Sequence, residues 1–249
     1  MSGHNKWSTI KRKKAIEDNK RGAIFTKLIK EITLAARDGG GDIEGNARLR
    51  AAVASAKKAN MPAENVERGI KKGTGELPGV VYEEVTYGGY GSGGAAILVD
   101  VVTDNKNRAT SEIRHIFSRF GKELGDVSSV AWMFERKGHI EIDGTKHKFD
   151  DILEAAIDAG AEDVADGGEV INVFTAPEDL YRVKKILDEK KIETHSANLI
   201  KKAQTLVSLS DSDASVMIRL MDALEENDDV QNVYSNFDVS DELMEKLSK

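Results

Sequence analysis

The apolar residues of this chain change their period at Val80. Before it they recur every three or four positions, the spacing that lines one face of a helix. After it they alternate, as side chains do on the two sides of a strand. A chain patterned this way must combine helices with sheets, so the expected class is α+β. The order of the elements narrows this to a helical N-terminal bundle followed by two ferredoxin-like α/β domains, one inserted into the other.

Three helices are expected first. In "GAIFTKLIKEITLAAR" the residues Phe25, Leu28, Ile29, Ile32, Ala35 and Ala36 make one buried stripe, with Lys27, Lys30 and Arg37 outside it. "RDGGGD" stops that helix. "NARLRAAVASAKKANMP" predicts a second, capped by Asn46 and closed around Asn60. "PAENVERGIKK" predicts a third, with Pro62 at its first turn.

Beyond Val80, "VVYEEVTY", "AAILVDVV" and "SSVAWMF" read as strands. "KNRATSEIRHIFSRF" reads as a helix with Ile113, Ile116, Phe117 and Phe120 on its apolar side. Strand 138–142, helix 149–159, strands 162–165 and 169–174, helix 177–190 and strand 192–199 then form a complete βαββαβ unit. Strand 203–209, helix 211–226 and strand 230–237 are left over. Paired with residues 95–134 they complete a second such unit. The expected boundaries are 1–79 for a basic helical domain and 80–134 with 203–240 for a discontinuous ferredoxin-like domain. Residues 135–202 form the inserted domain and 241–249 a tail.

The 249 residues are 40% hydrophobic and 32% charged, a globular composition. No apolar run approaches the ~20 residues of a membrane span, and no apolar stretch follows the basic N-terminal residues as in a secretory signal. The cytoplasm is the default location, with no membrane partner. Cysteine is absent, which excludes disulfides, thiolate metal sites and cysteine nucleophiles.

Charge is sorted along the chain. Residues 1–75 hold 17 Lys and Arg against 8 Asp and Glu, a net +9; the remainder holds 19 against 35, a net −16. A basic front on an acidic body points to a nucleic-acid partner, the plainer alternative being charge balance between touching domains. "GHNKWSTIKRKKA", residues 3–15, carries five cations and no acid. Lys6, Lys13, Lys20 and Lys27 are spaced seven apart and would form a stripe on one continuous helix. Trp7 adds a stacking face that a solubilising tail does not need. The expected nucleic-acid contacts are Lys6, Trp7, Lys11, Arg12, Lys13, Lys14, Lys20, Arg21, Lys27 and Lys30.

Two loops are candidate partner contacts. "GYGSGG" matches a dinucleotide fingerprint in form, Gly89, Gly91 and Gly94, but it joins two strands and opens no helix, so that reading is rejected. What remains is a glycine hairpin presenting Tyr87, Tyr90, Gly91 and Gly93, either a plain turn or a loop whose tyrosines stack on bases. "TDNKNR" precedes the helix near Arg108. Asn105 or Asn107 can cap it, and Asn105, Lys106, Asn107 and Arg108 can hold an anion there; capping alone and capping with phosphate contact both remain open. His4, His115, His139, His147 and His195 show no metal-ligand spacing. The acids of 211–229 (Asp211, Asp213, Asp222, Glu225, Glu226, Asp228, Asp229) read as a solvated helix face, with an acidic cleft or metal site as the sharper option. No catalytic arrangement, cofactor motif or small-molecule substrate site is read; the chain is expected not to be an enzyme.

"GHNKWSTIKRKKAIEDNKRGAIFTKLIKEI", "NMPAENVERGIKKG", "YGGYGSGGAAILVDVVTDNKNR" and "SSVAWMF" together resemble the YebC family, which includes a mitochondrial translational activator of a cytochrome oxidase subunit. The resemblance spans nearly the whole chain. It implies a helical domain plus two α/β domains, and a non-enzymatic regulator of gene expression. Bacterial members are described as DNA-binding transcriptional regulators; others act on the ribosome as translation factors. The matching positions are Gly3, His4, Lys6 and Trp7, the loop 88–94 and the segment 103–108. Ser92 stands where members often carry proline, and Asn5 where serine is common.

Overall fold

The computed structural model describes residues 21–239. Lys6, Trp7, Lys11, Arg12, Lys13, Lys14 and Lys20 lie outside the described residues, as does the tail; of Arg21 only the backbone is described. The elements in chain order are α1 (Arg21–Gly39), α2 (Ala47–Lys58), α3 (Ala63–Gly73), β1 (Glu83–Tyr90), β2 (Ala96–Thr103), α4 (Lys106–Arg119), β3 (Leu124–Gly125) and α5 (Ser128–Ala131). There follow β4 (Phe134–Asp143), α6 (Phe149–Ala159), β5 (Asp163–Asp166), β6 (Val170–Thr175), α7 (Leu180–Glu189), β7 (Thr194–Ala203), β8 (Val207–Ser208), α8 (Asp211–Glu225), β9 (Val230–Ser235) and β10 (Phe237–Asp238). They divide into two compact units, Phe134–Gln204 and the remainder.

In the larger unit the helices form as their caps direct. The Asn46 side chain accepts the Leu49 N–H at 3.0 Å. Its amide donates to the Ala35 carbonyl at 2.7 Å, joining the start of α2 to the end of α1. Pro62 stands at the N-cap of α3. Ile32, Leu49, Val53, Ala56 and Val66 make the bundle core; each side chain of this size, once buried, stabilises by about 1.5–3 kcal/mol.

The sheet of this unit runs β3-β1-β2-β9, every neighbour antiparallel. Ile97, Val99 and Val101 of β2 pack with Ile113 and Phe117 of α4 and Met217 and Met221 of α8. The strand order is ferredoxin-like, but its makeup differs from the sequence expectation. The place between β2 and β3 is filled by β1 rather than by strand 203–209, which shrinks to β8 and pairs in parallel with β10 in a separate ladder. The reason is local: β1 and β2 are joined by the short turn 91–95, which costs far less closure entropy than returning after the inserted unit. "SSVAWMF" is corrected as well. The Asp126 carboxylate accepts the Ser128 N–H at 2.8 Å and its hydroxyl at 2.7 Å, which starts the helical turn α5, and the next strand begins only at Phe134.

The unit Phe134–Gln204 has sheet order β5-β6-β4-β7, all antiparallel, the order of a ferredoxin-like βαββαβ unit. Ile140, Ile142, Ile171 and Val173 face Ile152, Ala156, Val183 and Leu187 of α6 and α7. Across the sheet His139 stacks on Phe174, ring centres 5.2 Å apart.

A methyl group built on Gly73 would stand 2.3 Å from the Thr33 carbonyl oxygen and 2.8 Å from Ala36 Cβ, so α1 and α3 meet only because this residue has no side chain. Gly73→Ala should lower stability by about 1–3 kcal/mol, the usual range for overpacking, read as a lower urea midpoint by helical circular dichroism. Gly22→Ala, with nothing within 4 Å of the new methyl, should leave that midpoint unchanged or raise it.

Candidate nucleic-acid interface

The expected interface begins in the basic arm and continues down α1. Along the described part of α1, the structure turns Lys27 and Lys30 to partners within the fold. Lys30 is 5% exposed, and its ammonium is taken three ways: by Asp229 Oδ1 at 2.6 Å, the Asp228 carbonyl at 2.8 Å and the Val102 carbonyl at 3.0 Å. Lys27 donates to the Glu225 carbonyl at 2.7 Å. Both lysines therefore answer the C-terminal end of α8, where carbonyls without helical partners concentrate negative potential. The expectation that Lys30 meets phosphate is overturned, because all three of its N–H donors are used within the fold. Lys27 is committed to the same end of α8.

Asp229 is the centre of this arrangement. It lies among the acids expected on a solvated face, yet it is 7% exposed. Besides Lys30 it accepts the Thr103 hydroxyl and Arg108 Nη2, each at 2.8 Å. Burial alone would raise its pKa; the hydrogen bonds from Lys30, Arg108 and Thr103 outweigh that and hold it below the usual carboxylate range. One aspartate thus ties α1, the end of β2 and the first turn of α4 together. Arg48 makes a second tie, with Glu31 at 2.7 Å and Glu84 at 2.8 Å.

The loop before α4 resolves residue by residue. Asn105, not Asn107, caps the helix and accepts the Arg108 N–H at 3.1 Å. The Arg108 guanidinium faces Asp229 and Asp104, so its charge is balanced inside the loop. Lys106 and Asn107 keep exposed side chains at the first turn of α4.

The glycine hairpin likewise separates into inner and outer residues. Tyr87 is 9% exposed, with its hydroxyl 2.8 Å from Thr110 Oγ1. Gly91 is buried, and a methyl there would lie 2.5 Å from Met217 Sδ. Neither reaches outward, a correction for both. Gly93 is exposed at φ +64°, a left-handed turn that glycine adopts without strain. Ser92 fastens the turn by donating to Asp213 at 2.7 Å. Tyr90 does face solvent, 41% exposed. Beside it stands a residue absent from the sequence expectation: Trp132, 69% exposed. Tyr90 Oη and Trp132 Nε1 both donate to the Ser129 carbonyl, at 2.9 and 3.0 Å. The signal for Trp132 was the Asp126–Ser128 helix start, hidden by reading the segment as a strand.

Among the described residues no group of three or more His, Asp or Glu side chains is placed to hold a metal ion, and no helix is long and apolar enough to cross a membrane.

Comparison with known proteins decides the family. Residues 5–76 match the family model described as the TACO1/YebC protein N-terminal domain, and residues 82–237 the one described as the TACO1/YebC second and third domain. The chain belongs to the TACO1/YebC family. Among similar family members, one from Desulfosudis oleivorans is 56% identical over 98% of this chain and all of its own length. One from Syntrophobacter fumaroxidans is 53% identical over the full length of both. Each is named "Probable transcriptional regulatory protein". The crystal structure of a conserved hypothetical protein from Aquifex aeolicus matches with a TM-score of 0.86 at 48% identity, covering 90% of this chain and 93% of that one.

Within this TACO1/YebC chain the Asp229 cluster makes a testable energetic statement. Asp229→Asn leaves Lys30 buried without its counter-charge and should cost about 3–5 kcal/mol at neutral pH. Because folding depresses the Asp229 pKa, its contribution is complete above the unfolded carboxylate value of about 4 and is lost as pH falls through the lower folded value. Urea midpoints of the parent and Asp229→Asn should therefore differ most at neutral pH and converge as pH falls below the usual carboxylate range.

Proposed function

We propose that this chain is a non-enzymatic, nucleic-acid-binding regulator of gene expression, a DNA-binding transcriptional regulator of the YebC type acting in the cytoplasm. The observation that carries this reading is the density of positive charge at the front of the chain. Residues 1–30 hold nine cations against Glu17 and Asp18. Lys27 and Lys30 are used inside the fold; the other seven precede Gly22, with Trp7 among them. A polyanion is the partner that such a segment suits, because each neutralised phosphate releases condensed counterions. The curated names of close relatives support the regulatory role.

Phosphate contacts position a protein on a duplex without reading its sequence. A second reading is therefore kept, a translation factor binding ribosomal RNA on the ribosome. The exposed Tyr90–Trp132 pair favours it, since aromatic faces suit unpaired bases better than a closed duplex.

Duplex binding should follow a steep salt law. With about six phosphates neutralised, log affinity should fall against log salt with a slope near −5, measured by fluorescence anisotropy on a 30-base-pair DNA. Reversing Lys6, Lys11, Arg12, Lys13 and Lys14 to Glu should abolish the binding and leave the circular dichroism spectrum unchanged. Retained affinity with a flat salt dependence would overturn the proposal.

A further inference from the structure

Trp132 and Tyr90 contribute little to the core, yet much of the surrounding structure holds them in place. Val130, fully buried, seats α5 on β1. That seat exists because Gly88 has no side chain: a methyl there would stand 2.7 Å from Val130 Cγ2. Asp126 caps the turn, and Ser129 Oγ donates to the Asp126 carbonyl at 2.6 Å. The Ser129 carbonyl in turn receives both aromatic donors. With the indole N–H and the phenol O–H already committed, what the pair offers a partner is ring surface. An aromatic pair in a protein interface ordinarily gives its donors to the partner as well. Stacking alone is what a nucleobase asks for.

The β1–β3 ladder sets Gly89 opposite Leu124, so the chain leaving α4 through Lys122 and Glu123 runs beside Tyr90. Glu123 is exposed, the Asp126 carboxylate accepts from Ser128, and Asp213 in the first turn of α8 attracts Lys122. Arg119 keeps an exposed side chain near Phe120.

We propose that Trp132 and Tyr90 form a stacking platform for the unpaired bases of an RNA segment. RNA is chosen because its loops, bulges and ends present unstacked bases, whereas duplex DNA does not. The proposal rests on the nucleic-acid reading above but concerns a surface separate from the arm.

The chain contains two tryptophans, so Trp7→Phe leaves Trp132 as the sole indole reporter. In that variant a uridine 20-mer should quench the fluorescence saturably, and a blunt RNA duplex should not. Tyr90→Ala with Trp132→Ala should weaken binding of labelled uridine 20-mer by about tenfold or more. Its affinity for the 30-base-pair DNA should stay within twofold. Trp132→Phe, which keeps a ring, should lose less than Trp132→Ala. The proposal is overturned if the uridine 20-mer gives no quenching, if the double variant binds it as the parent does, or if a thymidine 20-mer binds tenfold tighter. Any of these with duplex binding and its salt slope intact would remove the platform and leave the arm reading standing.

Discussion

The larger unit depends on one buried ion pair. Lys30 and Asp229 lie 2.6 Å apart at 5% and 7% exposure. Taking two charges out of water is costly, and the cost is recovered only where every remaining lone pair and proton is satisfied. Here they are: the ammonium has two carbonyls besides the carboxylate, and the carboxylate has Thr103 and Arg108 besides the ammonium. Such a site tolerates one geometry. It fixes where α1 meets the end of β2 and the start of α4.

This pairing changes the meaning of the charge asymmetry. A basic front of +9 and an acidic body of −16 invite the inference that every cation in the front awaits a partner. The structure answers several of these cations inside the fold. Lys27, Lys30, Arg37 and Arg48 are answered within the unit, by Glu225, Asp229, Tyr82 and Glu84 among others. Charge balance between touching segments thus accounts for these four residues.

Much of the fold could be read from the sequence because it rests on local chemistry. The cap at Asn46, the stop at "RDGGGD" and the inserted βαββαβ unit follow from spacing and turn residues alone. Three features could not be read this way, each for a physical reason. Leu34 lies outside the amphipathic stripe of α1 and is nonetheless fully buried; with Lys30 and Thr33 it makes a second face, which a one-stripe reading leaves to solvent. The place of β1 between β2 and β3 is a choice between local and distant pairing, which periodicity does not encode. Trp132 was misplaced because four residues of helix are too short for a period to show, and only the Asp126 cap marks them. The candidate site was half legible. Tyr90 and Asn105 stand where expected, Tyr87, Gly91 and Lys30 do not, and the partner of Tyr90 was missed.

The glycine run shows why a motif and its function come apart. Its spacing imitates a phosphate-binding fingerprint, but here the glycines answer packing or a positive φ. Gly88 and Gly89 admit Val130 and Phe117, Gly91 admits Met217, and Gly93 takes the positive φ of the turn. The run exists because β1 is approached from α4, α5 and α8 at once, and side chains at those positions would hold the helices off. Tyr90 is the exception inside the run. It is the large residue among the glycines, it faces solvent beside α5, and its hydroxyl is fastened to the same Ser129 carbonyl as Trp132. Chemistry in this segment therefore belongs to the residue the glycines surround, and the glycines supply the close packing that holds it at the surface.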